Sequence, residues 1–264
     1  MRMITSVLAG IMLVISIGCA GNHIVDSAAP DYATVLGLND AQRIIQTLDE
    51  DIDRNEENET VVLYGSDQPW SYGIGVIYSD NSVKKYDAID GFMVKAFAAL
   101  DFGGTSLCIC LITDLAAADH EHNYIYIIDF SGEQPHNIWD DAVSSPEALG
   151  LQYAFSDDYR LNFSFLGQEY ALDVSHDDMQ LVLYNSDGTL NSYGSALKNW
   201  RYAEGPYNRI VDIEELNDIA IISLKQDYFV NNPFGPLANH PLNTDTTWRY
   251  NAGSGGWALA ALNN

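Results

Sequence analysis

Three observations predict a mainly β fold, with antiparallel sheets arranged propeller-like or as a sandwich and one short N-terminal helix. First, the 264-residue chain is 47% apolar and carries 16 Tyr, 9 Phe and 5 Trp, side chains that suit a pleated, half-buried surface. Second, short apolar runs recur along its length. Third, the runs are parted by turn-forming clusters such as Ser79-Asp80-Asn81-Ser82, Ser156-Asp157-Asp158 and Asn185-Ser186-Asp187-Gly188. Short strands at this spacing build sandwiches, barrels or stacks of small sheets. The length admits one large or two small domains, and the apolar share excludes global disorder. A net charge of −25 with twelve Lys plus Arg argues against nucleic acid, whose phosphates need clustered cations. It argues equally against anionic headgroups as a partner of the folded part, and favours cations or basic partners.

The elements follow in order. Met1-Arg2-Met3 is a short positive start, and the apolar run from Ile4 to Ile17 is fourteen residues long, too short to span a bilayer comfortably. This is the n-region and h-region of an export signal. Its end, Ser16-Ile17-Gly18-Cys19, resembles the lipobox of bacterial lipoproteins, with Ser16 where Leu is usual. The resemblance implies a signal peptide over 1–18, lipidation of Cys19 with palmitate-type chains, and a cell-envelope, extracytoplasmic location on a membrane; the alternative is an ordinary secreted protein cut near Ala20 or Gly21. More than one acyl chain gives stable anchoring. Residues 19–35 read as a tether, and 36–264 as the β-rich domain.

Asn39 or Asp40 can cap a helix, and Ile44, Ile45 and Leu48 share one helical face, so the helix is expected over 39–48. Strands are expected at 60–64, 73–78, 92–100, 106–113 and 124–130, then at 151–154, 160–166, 168–172, 180–184, 219–224, 246–250 and 257–262. Cys108 and Cys110 stand two apart in an apolar run. On a strand they share a face and do not suit a bond to each other, so they read as buried thiols, with a metal or redox pair as the alternative. The stretches Val62-Leu63-Tyr64-Gly65-Ser66-Asp67 and Val182-Leu183-Tyr184-Asn185-Ser186-Asp187 echo one another. The domain therefore reads either as one unit or as two degenerate repeats, about 36–150 and 151–264.

The sharpest chemical signal is Asp51-Ile52-Asp53-Arg54-Asn55-Glu56-Glu57-Asn58-Glu59. Side-chain oxygens fall at alternate positions, Asp51, Asp53, Asn55, Glu57 and Glu59, directly ahead of an apolar strand. A hard cation such as Ca²⁺ takes about 6–8 oxygens at roughly 2.3–2.6 Å. Carboxylates so dense repel one another unless something positive sits among them. The helix-loop-helix calcium motif needs Gly at its sixth position and Glu at its twelfth; here Glu56 and Val62 stand there. The competing reading is a solvated acidic turn.

Residues 51–64 resemble the calcium-loop-plus-strand unit of FG-GAP/VCBS-type repeats. Residues 209–222, Arg209-Ile210-Val211-Asp212 onward, resemble a worn copy lacking its glycines and an oxygen at Leu216. Thr247-Trp248-Arg249-Tyr250-Asn251 with Gly256-Trp257 resembles the closing hairpin of uncharacterised bacterial surface proteins carrying such units. The resemblance covers about a third of the chain. It implies an extracytoplasmic, calcium-stabilised β domain, with Asp51, Asp53, Asn55 and Glu59 as side-chain ligands and Glu57 contributing its backbone carbonyl.

Catalytic patterns are sparse. His120-Glu121-His122 is the best histidine pair for a metal, but no third ligand stands at a diagnostic spacing. The chain has no H-E-x-x-H, no G-x-S-x-G and no phosphate loop. Asp140-Asp141, Asp157-Asp158 and Asp177-Asp178 supply carboxylate pairs, and Trp70, Trp139, Trp200, Trp248 and Trp257 could stack on sugars. The sequence thus favours a membrane-anchored lipoprotein whose calcium-stabilised domain binds a protein or glycan partner and no nucleic acid. The alternative is an extracytoplasmic glycan hydrolase with a carboxylate pair in a Trp-lined cleft.

Overall fold

The computed structural model describes residues 31–67, 70–114, 122–176, 182–197, 203–230 and 242–262. The leader, Cys19 and most of the expected tether lie outside them. From Tyr32 onward the chain forms one unit built of four antiparallel meanders, each running in chain order. Sheet I holds β1 (Arg43–Glu50), β2 (Glu59–Asp67), β3 (Trp70–Ile77) and β4 (Val83–Asp90). Sheet II holds β5 (Met93–Leu100), β6 (Cys108–Asp114), β7 (Asn123–Asp129) and the short β8 (His136–Asn137). Sheet III holds β9 (Gln152–Ser156), β10 (Arg160–Phe165) and β11 (Gln168–Asp173). Sheet IV holds β12 (Ala203–Leu216), β13 (Ile219–Val230), β14 (Leu242–Asn251) and β15 (Gly256–Leu262). Two short helices are complete among the described residues, α1 (Tyr32–Leu36) and α2 (Ser192–Leu197). The mainly β, antiparallel reading holds, with a short helix at the N-terminal end.

Alternation along the strands builds the layers. In β2, Val61 and Leu63 face sheet II, where they meet Ile109, Leu111 and Ile128. Val62 and Tyr64 face the other way and are covered by Leu36 of α1. In sheet II the opposite face, with Cys108, Cys110, Ile112, Ile125 and Ile127, packs into a second core shared with sheets III and IV. Sheet II is therefore an apolar layer on both faces, and β6 is buried at every position. Both cysteines are free and buried on one face of β6, and burial pushes each thiol up to about 12. Within sheet I one position needs glycine in particular, Gly73 of β3, which pairs with Tyr64 of β2. A Cβ on Gly73 would stand 2.5 Å from the Tyr64 ring.

Three expectations are corrected, and one strand lies outside those expected. The helix expected over 39–48 is a turn followed by β1. Asn39 Oδ1 accepts the Ala41 N–H at 2.9 Å, and Gln42 Oε1 accepts the Asn39 N–H at 3.1 Å. The capping groups thus close a tight turn; β-branched Ile44 pairs with Tyr64 of β2 and Ile45 forms a bulge beside it, leaving 37% and 41% of their surface exposed. Strand pairing overrides the helical period. Residues 209–222 are not a worn ion loop but the tip of the β12–β13 hairpin. Leu216 pairs with Ile219 across Asn217 and Asp218, both at positive φ (54° and 62°), as in a two-residue primed turn. Asp212 and Glu214 alternate up a strand there and do not converge. In the strand expected at 180–184, Val182 and Leu183 form a helical turn and Tyr184 bridges Leu190, so this stretch and its echo in β2 adopt different conformations. Strand β4 was not expected; Lys84-Lys85 interrupts its apolar alternation.

Candidate metal centre

The loop 51–58 closes the β1–β2 hairpin, whose last register pair is Glu50 with Glu59. Its conformation follows from its own side chains. Asp51 Oδ1 accepts the Asn55 N–H at 2.9 Å and Asp51 Oδ2 the Glu56 N–H at 3.0 Å. Asp53 Oδ1 also accepts from Asn55, at 3.2 Å, and Asn55 Oδ1 accepts from Glu57 at 2.7 Å. Asp and Asn side chains capture backbone donors two residues on in this way. Arg54 and Glu56 take positive φ, 62° and 73°, and tighten the turn, with Asp51 half-buried and Asp53, Asn55 and Glu57 exposed.

Ile52 anchors the loop from below. Its side chain is 1% exposed and sits in the core between sheets I and II, while its carbonyl accepts the Leu107 N–H at 2.9 Å. Glu59 lies on the same face of β2 as Val61 and Leu63, so it too points inward, and it is 1% exposed. Glu59 Oε2 accepts the Ile52 N–H at 2.7 Å. Glu59 Oε1 is buried with no hydrogen-bond partner. Carboxylate oxygens of Asp51, Asp53 and Glu59 lie within 4.8 Å of one another. Asn55 and Glu57 are both exposed, with Asn55 Oδ1 held by the Glu57 N–H.

The electrostatics are unbalanced. Burial raises the Glu59 carboxyl above its ordinary value, and the neighbouring charges of Asp53 and Asp51 raise it further against the lowering effect of the Ile52 N–H. Tyr78 nearby is pushed up to about 12, by burial first and then by the charges of Glu59 and Asp53. The loop's single basic residue, Arg54, turns away and pairs with Asp101, so it does not neutralise the trio. An orphaned carboxylate oxygen in a buried position costs about 1–3 kcal/mol or more. A cation among these three groups would remove that cost. The donor set is all oxygen, which suits Ca²⁺, Mg²⁺ or Mn²⁺ rather than zinc.

The other sequence candidates do different work. Asp140 Oδ1 caps a short 3-10 turn (Asp141–Ser144) by accepting the Ala142 N–H at 2.9 Å. Asp141 accepts the Trp139 indole N–H at 2.7 Å and pairs with buried Arg209. Asp157 Oδ1 accepts the Leu190 N–H at 3.0 Å, and Asp158 sits at positive φ in a turn. Trp139 and Trp248 are buried; Trp257 packs on Trp139 with ring centroids 4.8 Å apart. The indole N–H groups of all three are satisfied within the protein. His122 packs edge-on to Tyr124. Asp177, Asp178, His120, Glu121, Trp200 and the side chain of Trp70 lie outside the described residues. Sequence reasoning passed over Ile52 and Asp101, which fix the loop from either side; the apolar residue alternating with Asp51 and Asp53 was the available signal for the first. No family model, curated protein or solved structure matches the chain.

Proposed function

We propose that this protein is an exported, lipid-anchored lipoprotein whose β domain holds one Ca²⁺ among Asp51, Asp53 and Glu59 and serves as a binding module outside the cytoplasm. The buried, unpartnered Glu59 Oε1 carries the reading, because a carboxylate oxygen withdrawn from water and facing two further carboxylates asks for a positive ligand. Asn55 and the Glu57 carbonyl are the remaining donors the loop can offer, with water completing the shell. Calcium suits a wound loop better than magnesium, which demands a tighter octahedron at about 2.0–2.1 Å. The ion's role here is structural. It holds the β1–β2 hairpin closed and the Ile52 anchor in place, so binding free energy becomes folding free energy.

Calorimetric titration of the metal-free protein tests this. Calcium is expected to bind at one site per chain, and Asp51→Ala with Asp53→Ala to abolish the heat. Absence of saturable binding to the wild type overturns the ion. The anchor is tested separately by labelled palmitate in a bacterial host, with incorporation expected for the wild type and lost in Cys19→Ser.

A further inference from the structure

Beside the ion loop, residues 102–106 and the β14–β15 hairpin enclose a cleft in two adjoining lobes of about 450 and 390 Å³ that share Phe102, Gly103, Tyr250, Ala252 and Gly253. Volumes of this order accommodate small ligands. We propose that this cleft binds an uncharged saccharide, and that the ion loop braces one of its walls.

The lining chemistry selects the class. Tyr250 is half-buried, with its ring held against Trp257 at a centroid separation of 5.4 Å, and Trp257 is held in turn by Phe102 at 5.6 Å. Tyr250 thus presents an aromatic ring at the cleft wall, with Trp257 packed behind it and buried Phe102 beside it. Tyr250, Thr105 and Arg249 are among the residues lining the cleft, and their side-chain polar groups engage no partner among the described residues. Asp129 lines the second lobe with one oxygen already accepting from Ser131 at 2.7 Å, which fixes the carboxylate's orientation. The carbonyls of exposed Gly103 and Gly253 add acceptors, their N–H groups being held by Asp101 and Asn251. A ring face beside mixed donors and acceptors matches a pyranose, apolar on its face and hydroxylated at its edge. One cation and one carboxylate leave the lining without net charge, and a chain at −25 repels anions at distance. An uncharged sugar satisfies both conditions.

The bracing rests on the calcium reading. Loop 102–106 is gripped at both ends by the acidic loop, through the Arg54–Asp101 pair before it and the Leu107 N–H to Ile52 carbonyl bond after it. Asp101 also holds the Gly103 N–H at 2.6 Å through Oδ1 and the Ala220 N–H at 2.6 Å through its carbonyl. Loosening the ion loop therefore frees the wall that carries Phe102 and Thr105.

The test is calorimetry of the full chain with neutral trisaccharides of glucose, mannose, galactose and N-acetylglucosamine, in calcium and in chelator. At least one is expected to bind in calcium with a dissociation constant below about 1 mM. Tyr250→Ala is expected to weaken it at least tenfold and Tyr250→Phe by less, both with the calcium-dependent melting shift intact. Binding that weakens on chelation supports the bracing; equal binding in the two buffers overturns it. No binding of any of the four to the calcium-loaded chain, or binding indifferent to Tyr250→Ala, overturns the cleft. Should calcium leave the melting temperature unchanged while binding still depends on Tyr250, the ion fails and the cleft stands.

Discussion

Replacing Glu59 by Gln separates charge from shape at the buried end of the acidic loop. The wild-type carboxylate has one oxygen bonded to the Ile52 N–H and one with no partner. In the Glu59→Gln variant the amide oxygen keeps the first bond and the amide nitrogen points donors at Asp51 and Asp53. The metal-free variant should therefore be more stable than the metal-free wild type by about 1–2 kcal/mol, the cost of an unsatisfied buried acceptor. Calcium should reverse the order. At a hundredfold excess over its dissociation constant a ligand adds about 2.7 kcal/mol to the folded state, which for a domain of this size is about 5–11 °C in melting temperature. The wild type should gain that shift and Glu59→Gln should lose most of it. Thermal melts of both proteins in chelator and in a calcium series read all four states. A variant that keeps the full calcium shift, or wild-type melts that superimpose from chelator to about 10 mM calcium, would refute the argument.

Further outcomes follow from other contacts. Because burial raises the folded-state value of Glu59, its proton stabilises the metal-free fold fully below the ordinary carboxylate range and that contribution is lost as pH rises through the raised value. Calcium competes with that proton, so the melting difference between calcium and chelator should shrink on acidification through the same window; a difference independent of pH argues against Glu59 as a ligand. Gly73→Ala places a Cβ 2.5 Å from the Tyr64 ring, which is 1% exposed and held by Asp87, and should cost about 1–3 kcal/mol of overpacking in urea denaturation. Asp141→Asn removes the charge that pairs with Arg209, whose side chain is 3% exposed. It should destabilise by about 2–3 kcal/mol, toward the low end for a broken buried pair because Asp141 itself is half solvated.

The sheet character was legible because aromatic and β-branched runs alternate with turn clusters, a local signal that survives packing. Eleven expected strands from 60–64 to 257–262 overlap observed ones; the stretch at 180–184 does not. The helix over 39–48 misled because Ile44, Ile45 and Leu48 fit both periods, and only the ladder to β2, a contact distant in sequence, decides between them. The worn ion loop at 209–222 misled for a related reason. Alternating acidic residues look alike in a wound loop and up a strand, and the two positive-φ residues Asn217 and Asp218 that make the hairpin carry no glycine to betray them. At the candidate centre, Asp51, Asp53 and Glu59 were legible from spacing. The burial of Glu59 was not, since it depends on which face of β2 meets sheet II.

Sheet II has consequences for how the molecule comes apart. From Cys108 to Ile112 the side chains of β6 are enclosed alternately by one core and by the other, so no partial opening can wet this stretch without separating two apolar interfaces together. Its amides should be the last to exchange with deuterium, at a rate set by global unfolding. A truncation that removed sheet I would bare a continuous hydrophobic surface, and the remnant should self-associate rather than persist as a smaller fold.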